Sequence, residues 1–591
     1  LMRLLSKKAL PFLKGFRYSI PDIIGLTVVS KDFDRVFLTG LDANEWDSTI
    51  KEVQKKLTDS VITNAIRKMP EEIFAVDGKV LTKKLISRRA LLENAGMKYY
   101  RFLSRKVNIV GSNEKEYFKI NSNPQGLNVR VYSREKNDTS FLMYNRTFDH
   151  RDTKEIRLYA LNGNDLFDID ENVSSRIKLR VIGGRGNDTF DMRGNVRNFL
   201  YDLDVEGNYI KNQSHSRNMF STEPTVNDHD ILGFQYNEKH FPSISMAVNN
   251  DDGLLVGAGI SRKIYGFRND PFVSYQRASV LWAINRGAQQ FKYSGVFNHA
   301  IKNTDIIVAS ELMTPGINNF FGLGNKTQID PDKPITYYRA RFRHMETQLL
   351  FQKRMGETLR IMAGPVIYSY WNKPEENFSK VLGAPSQIGL DSLSIYSKKK
   401  YIGGKFVINI NNLNNELFPT RGIQWTTDFT SMAGITKSSN NITKFQSDMA
   451  VYASLNDPTR LIAVIRLGGG RIYSKNFEYF QALTLGSNNY LRGFRKNRFA
   501  GRSILYGGLE LRLKLLDVTS YILPGSFGLI GFNETGKVWL KNETSHIWHY
   551  SYGGGLYYIP FNLFLVSATV GFSKEEHIVN FSVGTKINLN F

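Results

Sequence analysis

The sequence predicts an all-β transmembrane barrel of about 16 antiparallel strands, preceded by an α+β soluble region and a small β-solenoid-like segment. Three observations carry this expectation. The final segment alternates strictly: Phe581, Val583, Thr585, Ile587, Leu589 and Phe591 share one face, and Asn580, Ser582, Gly584, Lys586, Asn588 and Asn590 the other. Apolar outside and polar inside at period 2 is what a strand between lipid and a lumen requires. From 231 to 591 strand-like runs are separated by Gly, Asn and Asp clusters, and at roughly 22 residues per strand and turn this length yields the strand number. Aromatic residues make up 13% of the chain, with 39 Phe and 29 Tyr, enough rings to populate two membrane interfaces.

Residues 1–150 read as the α+β region. Trp46, Ile50, Val53 and Leu57 recur at helical spacing. Thr58 caps a second helix bearing Val61, Ile62, Ala65, Ile66 and Met69, which Pro70 closes. A third helix is expected from Thr82 through Leu85, Ile86 and Leu92 to Tyr99 and Tyr100, followed by strands at Val107–Val110, Tyr117–Ile120 and Leu127–Tyr132. Residues 151–204 change character. The unit Gly-Asn-Asp-x-Phe occurs at 163–167 and again at 186–190, which suggests stacked turns of a solenoid or β-roll. A polar stretch, 205–230, reads as a linker, and the barrel is expected over 231–591. Within it, 249–253 reads as a turn and Tyr552–Phe572 as a hairpin around Pro560 and Asn562.

Composition excludes several classes. No run approaches the ~18 consecutive apolar residues of a transmembrane helix, so a helical membrane protein is excluded, and a mean hydropathy of −0.32 is compatible with insertion by strands. There are no cysteines and hence no disulfide or thiolate metal site. A net charge of +23 is spread over loops and helices without a nucleic-acid motif, so no nucleic-acid partner is expected. The basic opening, broken by Lys7, Lys8 and Pro11, has no sustained apolar core, and a longer precursor is expected.

Residues 480–512 contain Leu491-Arg492-Gly493-Phe494, followed by Arg498-Phe499-Ala500-Gly501-Arg502 and Leu509-Glu510-Leu511-Arg512. This stretch resembles the V-R-G-F/Y loop and following strand of the BamA/TamA-type outer-membrane assembly and translocation superfamily, with Leu491 in place of the usual Val. Phe532-Asn533-Glu534-Thr535-Gly536-Lys537-Val538-Trp539 resembles that family's F-x-D-x-G-x-V-W stretch, with Glu534 for Asp. Phe418-Pro419-Thr420-Arg421-Gly422 resembles its P-T-R-G turn, and Asn319–Asn325 (NFFGLGN) a loop of large fusion members. The resemblance implies a loop folded inside the barrel, with Arg492 latched to Glu534 and secondarily to Glu510, alongside Gly493 and Phe494. It also implies that Gly584, Ile587, Leu589 and Phe591 form a C-terminal assembly signal. Residues 30–200 show no repeated modules of about 80 residues; they resemble the region between a calcineurin-like phosphoesterase domain and the barrel in certain fusion members, which would place a phosphoesterase upstream of Leu1.

No catalytic constellation stands out among the nine His or elsewhere, and no enzyme is expected within this chain. The paired acids Asp251-Asp252 and Glu575-Glu576 read as solvated turns. Gly-Gly-Arg-Gly-Asn-Asp-Thr-Phe at 183–190 is similar to a calcium-binding repeat with Asp188 and Asp165 as carboxylates, but a plain Gly-Asn-Asp turn is the favoured reading and no cofactor is otherwise expected. The leading expectation is a bacterial outer-membrane barrel, N-terminal region periplasmic, that inserts or translocates client proteins through a seam between first and last strands. Its partners would be clients, membrane lipid and lipopolysaccharide, and accessory lipoproteins. Two alternatives stay open: a barrel serving an upstream phosphoesterase in lipid or surface-lipoprotein handling, and a passive pore.

Overall fold

The computed structural model describes residues 16–20, 22–134, 140–230, 234–249, 253–392, 394–487, 490–521, 523–541 and 543–585. The chain divides into two compact units, Leu1–Gln235 and Tyr236–Phe591.

The first unit opens with helices α1 (Ile23–Leu26), α2 (Lys31–Phe37), α3 (Ala43–Lys56), α4 (Asp59–Arg67), α5 (Glu71–Ile73), α6 (Lys79–Ala90) and α7 (Leu92–Ser104). Asp42 and Glu45 form a reciprocal capping box on α3, and Thr58 accepts the Val61 N–H at 3.2 Å to start α4. The expected third helix is two helices, α6 and α7, parted at Leu91. Trp46 of α3 packs its ring against Tyr99 and Tyr100 of α7, with centroids 6.1 and 5.9 Å apart.

A solenoid follows. Its first coil supplies β1 (Lys106–Val110) and β2 (Glu116–Asn123), its second β5 (Glu155–Tyr159) and β6 (Leu166–Ile169). The third supplies β7 (Ser174–Ile182) and β8 (Thr189–Met192), and the last β9 (Asn195–Tyr201), β10 (Tyr209–Gln213) and β11 (Ser216–Asn218). A hairpin, β3 (Gly126–Arg134) and β4 (Ser140–Phe148), is inserted after the first coil. One sheet is the all-parallel order β1-β5-β7-β9-β11; the other runs β10-β8-β6-β2-β3-β4, parallel up to β2. Both inner faces are apolar, and Phe118, Phe167 and Phe190 stack in register at the centre with ring centroids 4.7 and 5.3 Å apart. The solenoid therefore begins at 106, not 151, and residues 209–218 of the expected linker are its last strands. The hairpin at 126–148 explains the missed start, because it separates the first turn from the repeat.

The second unit is a 16-stranded antiparallel sheet. Its strands are β12 (Glu238–Asn249), β13 (Gly253–Ile264), β14 (Ser274–Ala283), β15 (Ala288–Ile301), β16 (Thr304–Asn319), β17 (Arg339–Met355), β18 (Leu359–Trp371) and β19 (Lys399–Asn411). They continue through β20 (Gly422–Gly434), β21 (Ile442–Ser454), β22 (Leu461–Ile472), β25 (Ser503–Val518), β26 (Gly525–Trp539), β27 (His549–Pro560), β28 (Phe564–Phe572) and β29 (His577–Thr585). Two short strands, β23 (Leu483–Leu485) and β24 (Phe499–Gly501), pair within the β22–β25 connection. Each strand pairs with its neighbour in sequence order, and β12 and β29 lie beside each other. Among the described residues no ladder pair joins those two. The alternation expected of a barrel is plain on β25: Leu505, Leu509, Leu511 and Leu513 face outward, while Tyr506, Glu510 and Arg512 are the more covered set. Val280, Phe406, Phe429, Ile465, Leu529 and Val566 extend this apolar outer surface round the sheet. It is an all-β barrel whose outer face suits lipid.

Candidate functional site

The connections differ in length at the two ends. At one end lie 320–338, 372–398 and 473–502; at the other the turns include 302–303, 356–358 and 561–563. The long connections converge on aromatic contacts. Tyr370 stacks on Phe480 with centroids 3.7 Å apart, its hydroxyl meets that of Tyr479, and Phe320 and Phe321 pack beside Tyr479 and Tyr338.

Residues 490–502 of the longest connection enter the barrel. Arg492 donates from Nε to Glu534 Oε1 at 2.6 Å and from Nη1 to Glu510 Oε2 at 2.6 Å, and its backbone N–H reaches Glu534 Oε2 at 2.7 Å. Its guanidinium lies 3.6 Å from the Phe532 ring centroid. Glu510 also accepts from Arg512 Nε at 2.6 Å. The two acids belong to adjacent strands, β25 and β26, so the planar fork of one Arg ties both to the loop. Gly493 donates its N–H to Ser551 Oγ at 2.7 Å, and a Cβ there would stand 2.5 Å from the Phe572 carbonyl oxygen, so the loop backbone lies directly on β28. Phe494 is buried against Phe499 and His549.

The loop reaches further than its motif indicates. Arg498, fully buried, grips Glu575 with Nε and Nη2 at 2.7 Å each, and Arg495 Nη2 holds Glu576 at 2.7 Å. Asn580 of β29 donates to the Arg492 carbonyl at 3.0 Å. Glu575 and Glu576 are therefore ion-pair partners, which corrects the expectation of a solvated turn; Asp251 and Asp252 lie outside the described residues. The expectation failed because the arginines that neutralise the pair stand 77 and 81 positions away. A second group also escaped sequence reasoning. Asp448 accepts Arg466 Nη2 at 2.6 Å and Tyr506 Oη at 2.8 Å, while Tyr490 stacks on Tyr506 at 4.1 Å. Period-2 patterning marks Asp448, Arg466 and Tyr506 only as lumen-facing, and Tyr490 lies outside any strand. Of the expected C-terminal signal, Gly584 lies in β29, and Ile587, Leu589 and Phe591 lie outside the described residues.

The Asn319–Asn325 loop crosses the barrel mouth. Asn325 is buried, donates from Nδ2 to Ser545 Oγ and the Ile547 carbonyl at 2.8 and 2.9 Å, and accepts the Val538 N–H at 3.1 Å. Its own N–H meets Glu543 Oε2 at 2.8 Å, and Arg498 donates to Thr327 Oγ1 at 2.8 Å. Removing the Asn325 side chain leaves the buried Val538 N–H without its acceptor, a loss of about 1–3 kcal/mol. Asn325→Ala is therefore expected to raise conductance in planar bilayers about tenfold or more; wild-type conductance would show that the loop does not seal the mouth.

In the first unit, Asp165 and Asp188 occupy equivalent turns of successive coils. Asp188 Oδ1 accepts the Asp165 N–H at 2.7 Å, and Asp165 Oδ1 accepts the Glu116 N–H at 2.6 Å. Burial, and then repulsion from neighbouring carboxylates, raises the acidic groups of Asp165, Asp188 and Asp202 above the usual carboxylate range.

No curated protein matches the sequence. Among solved structures, the chain is similar to BamA from Haemophilus ducreyi lacking POTRA domains 1–3, at 14% identity and a TM-score of 0.42, over 59% of this chain and 70% of that one. It is similar to CdiB from Acinetobacter baumannii at 12% identity and a TM-score of 0.38, over 59% of each chain. With CdiB from Escherichia coli the identity is 11% and the TM-score 0.37, over 58% of this chain and 67% of that one. Likenesses this distant carry no argument about function. The sequence match is more direct: residues 362–587, from within β18 through the latched loop to the last strand, match the Omp85 superfamily domain.

Proposed function

We propose that this chain is an outer-membrane machine that inserts client β-barrel proteins, or passes exported ones, through a lateral seam between β12 and β29. The observation that supports this reading most is the placement of the latched loop. Its Arg492, Arg495 and Arg498 bind β25, β26 and the β28–β29 turn, bracing the last hairpin from inside, while among the described residues no ladder pair closes β29 onto β12. A strand edge so held is a template for an incoming strand, and exchanging one set of backbone hydrogen bonds for another costs little net free energy. The loops across the mouth favour the wall over the lumen as the route, against a passive pore.

In this reading the short-turn end of the barrel, where β12 begins, faces the periplasm by the usual asymmetry of such barrels, and the N-terminal region is periplasmic. The partners are client outer-membrane or exported proteins, the surrounding lipid and lipopolysaccharide, and accessory lipoproteins. The work is hydrogen-bond exchange without a covalent step.

The test is a reversible lock. The chain has no cysteines, so a pair introduced across β12 and β29, found by scanning 243–247 against 578–582, is the only thiol pair present. Oxidation is expected to lower client assembly in proteoliposomes by more than about tenfold, with recovery on reduction. Full activity of the oxidised protein would sink the seam.

A further inference from the structure

We propose that the solenoid binds a calcium ion between Asp188 and Asp202. The four coils stack in register, Val110 beside Tyr159, Tyr159 beside Ile182, and Ile182 beside Tyr201. The residues that follow, Gly111, Ala160, Gly183 and Asp202, therefore form one column at the turn. A second column, one residue before the aligned Tyr117, Leu166, Thr189 and Tyr209, is Glu116, Asp165, Asp188 and Asn208. In the last coil the carboxylate has changed column: Asp202 stands where the others have Gly or Ala, and Asn208 where they have an acid. The switch brings two carboxylates together over Gly183, whose missing Cβ would overlap both Asp188 Oδ2 and Asp202 Oδ2.

Both acids are held by one oxygen and offer the other. Asp188 Oδ1 takes the Asp165 N–H; Asp202 Oδ1 takes the Leu203 N–H at 2.8 Å and Asn227 Nδ2 at 3.0 Å. Asp188 is 1% exposed and Asp202 0%, and their Oδ2 atoms accept from no other residue and lie close enough to share a proton with each other. Two further buried oxygens without partners belong to Asn227 Oδ1 and Glu206 Oε2. Asn227 already touches Asp202, and the Glu206 charge acts on Asp188.

Glu116 and Asp165, in the same column as Asp188, are likewise buried with one oxygen each left without a donor, but no glycine there faces two carboxylates as Gly183 does. Two other buried acids of this solenoid are neutralised by bases. Glu155 has Arg157, Lys178 and Arg180; Asp191 has Lys211 and Arg193. Among the described residues no Lys, Arg or His pairs with Asp188 or Asp202. Buried carboxylates are paired, protonated or bound to metal, and two converging Oδ2 atoms with the Asn227 amide oxygen nearby fit a cation that displaces the proton they otherwise share. Among the described residues no three acidic or histidine side chains converge on one point, so the remaining ligands would be amide and backbone oxygens and water. An all-oxygen, irregular set of this kind suits calcium better than magnesium, which demands octahedral geometry.

The test uses the full chain in detergent, stripped with EDTA and dialysed against radioactive calcium. Saturable binding is expected at about 1 mM or tighter. Asp188→Asn and Asp202→Asn keep side-chain volume and should each weaken binding by about tenfold or more, whereas Asp168→Asn, which removes an acid paired with Arg193 on the same solenoid, should not. Should either variant fail to fold, hydrogen exchange of the wild type supplies the readout, with calcium expected to slow exchange in peptides covering 183–208. Absence of wild-type binding at about 10 mM calcium, undiminished binding by the folded Asp188→Asn/Asp202→Asn double variant, or calcium-independent exchange would each overturn the proposal.

Discussion

Arg492→Ala is expected to lower the temperature at which the folded barrel converts to its unfolded, slower-migrating form on gels, by the equivalent of about 3 kcal/mol. The guanidinium spans two strands, and its loss leaves the mostly buried Glu534 with no arginine partner and Glu510 with Arg512 alone. Removing one member of a buried pair costs about 3–5 kcal/mol because the charge that stays has no counter-ion. The lower end applies here, since the Arg492 side chain is 25% exposed. Arg492→Lys should fall between, because an ammonium keeps the charge but cannot fork between Glu534 Oε1 and Glu510 Oε2. Wild-type melting of Arg492→Ala would mean that the loop is held by its apolar contacts, with Phe494 and Leu491 as the anchors.

This latch was legible in the sequence because the Arg-Gly-Phe triplet and the acids at 510 and 534 are local patterns with a known resemblance. The barrel was legible for the same reason: lipid on one side and a polar lumen on the other impose period 2, as on β25. What lay hidden depends on pairs remote in sequence. Nothing local to Glu575-Glu576 distinguishes a solvated turn from the partners of Arg498 and Arg495, and nothing local to Asn325 shows that it reaches Ser545 and Ile547. The solenoid was half legible. Asp165 and Asp188 mark two coils 23 residues apart, but Glu116 and Asn208 fill the same column in the outer coils without the Gly-Asn-Asp signature. Terminal coils of a stack have only one neighbour and need not keep its consensus.

The interior of that stack also contains its most exposed liability to acid. Glu155 sits on β5 in the parallel sheet, 4% exposed, with Arg157 Nε at 2.8 Å, Lys178 Nζ at 2.5 Å and Arg180 Nε at 3.3 Å. Burial alone would raise its acidic group; Arg157, Arg180 and Lys178 outweigh that and hold it down to about 2. A carboxyl depressed from about 4.3 in the unfolded chain contributes about 3 kcal/mol of stability at neutral pH. The sign follows from the depression: the contribution is complete above the unfolded value and disappears as pH falls through about 2. Glu155→Gln should therefore open the solenoid by about 3 kcal/mol at pH 7, read as faster hydrogen exchange in peptides covering 155–182, because three cations lose the carboxylate they share. The difference between variant and wild type should shrink from about pH 4 downward and vanish below about pH 2, as Glu155 itself becomes neutral. A difference that persisted unchanged to pH 2 would assign the effect to lost packing, and the cluster would then be a set of surface-anchored bases around a carboxyl that carries no charge.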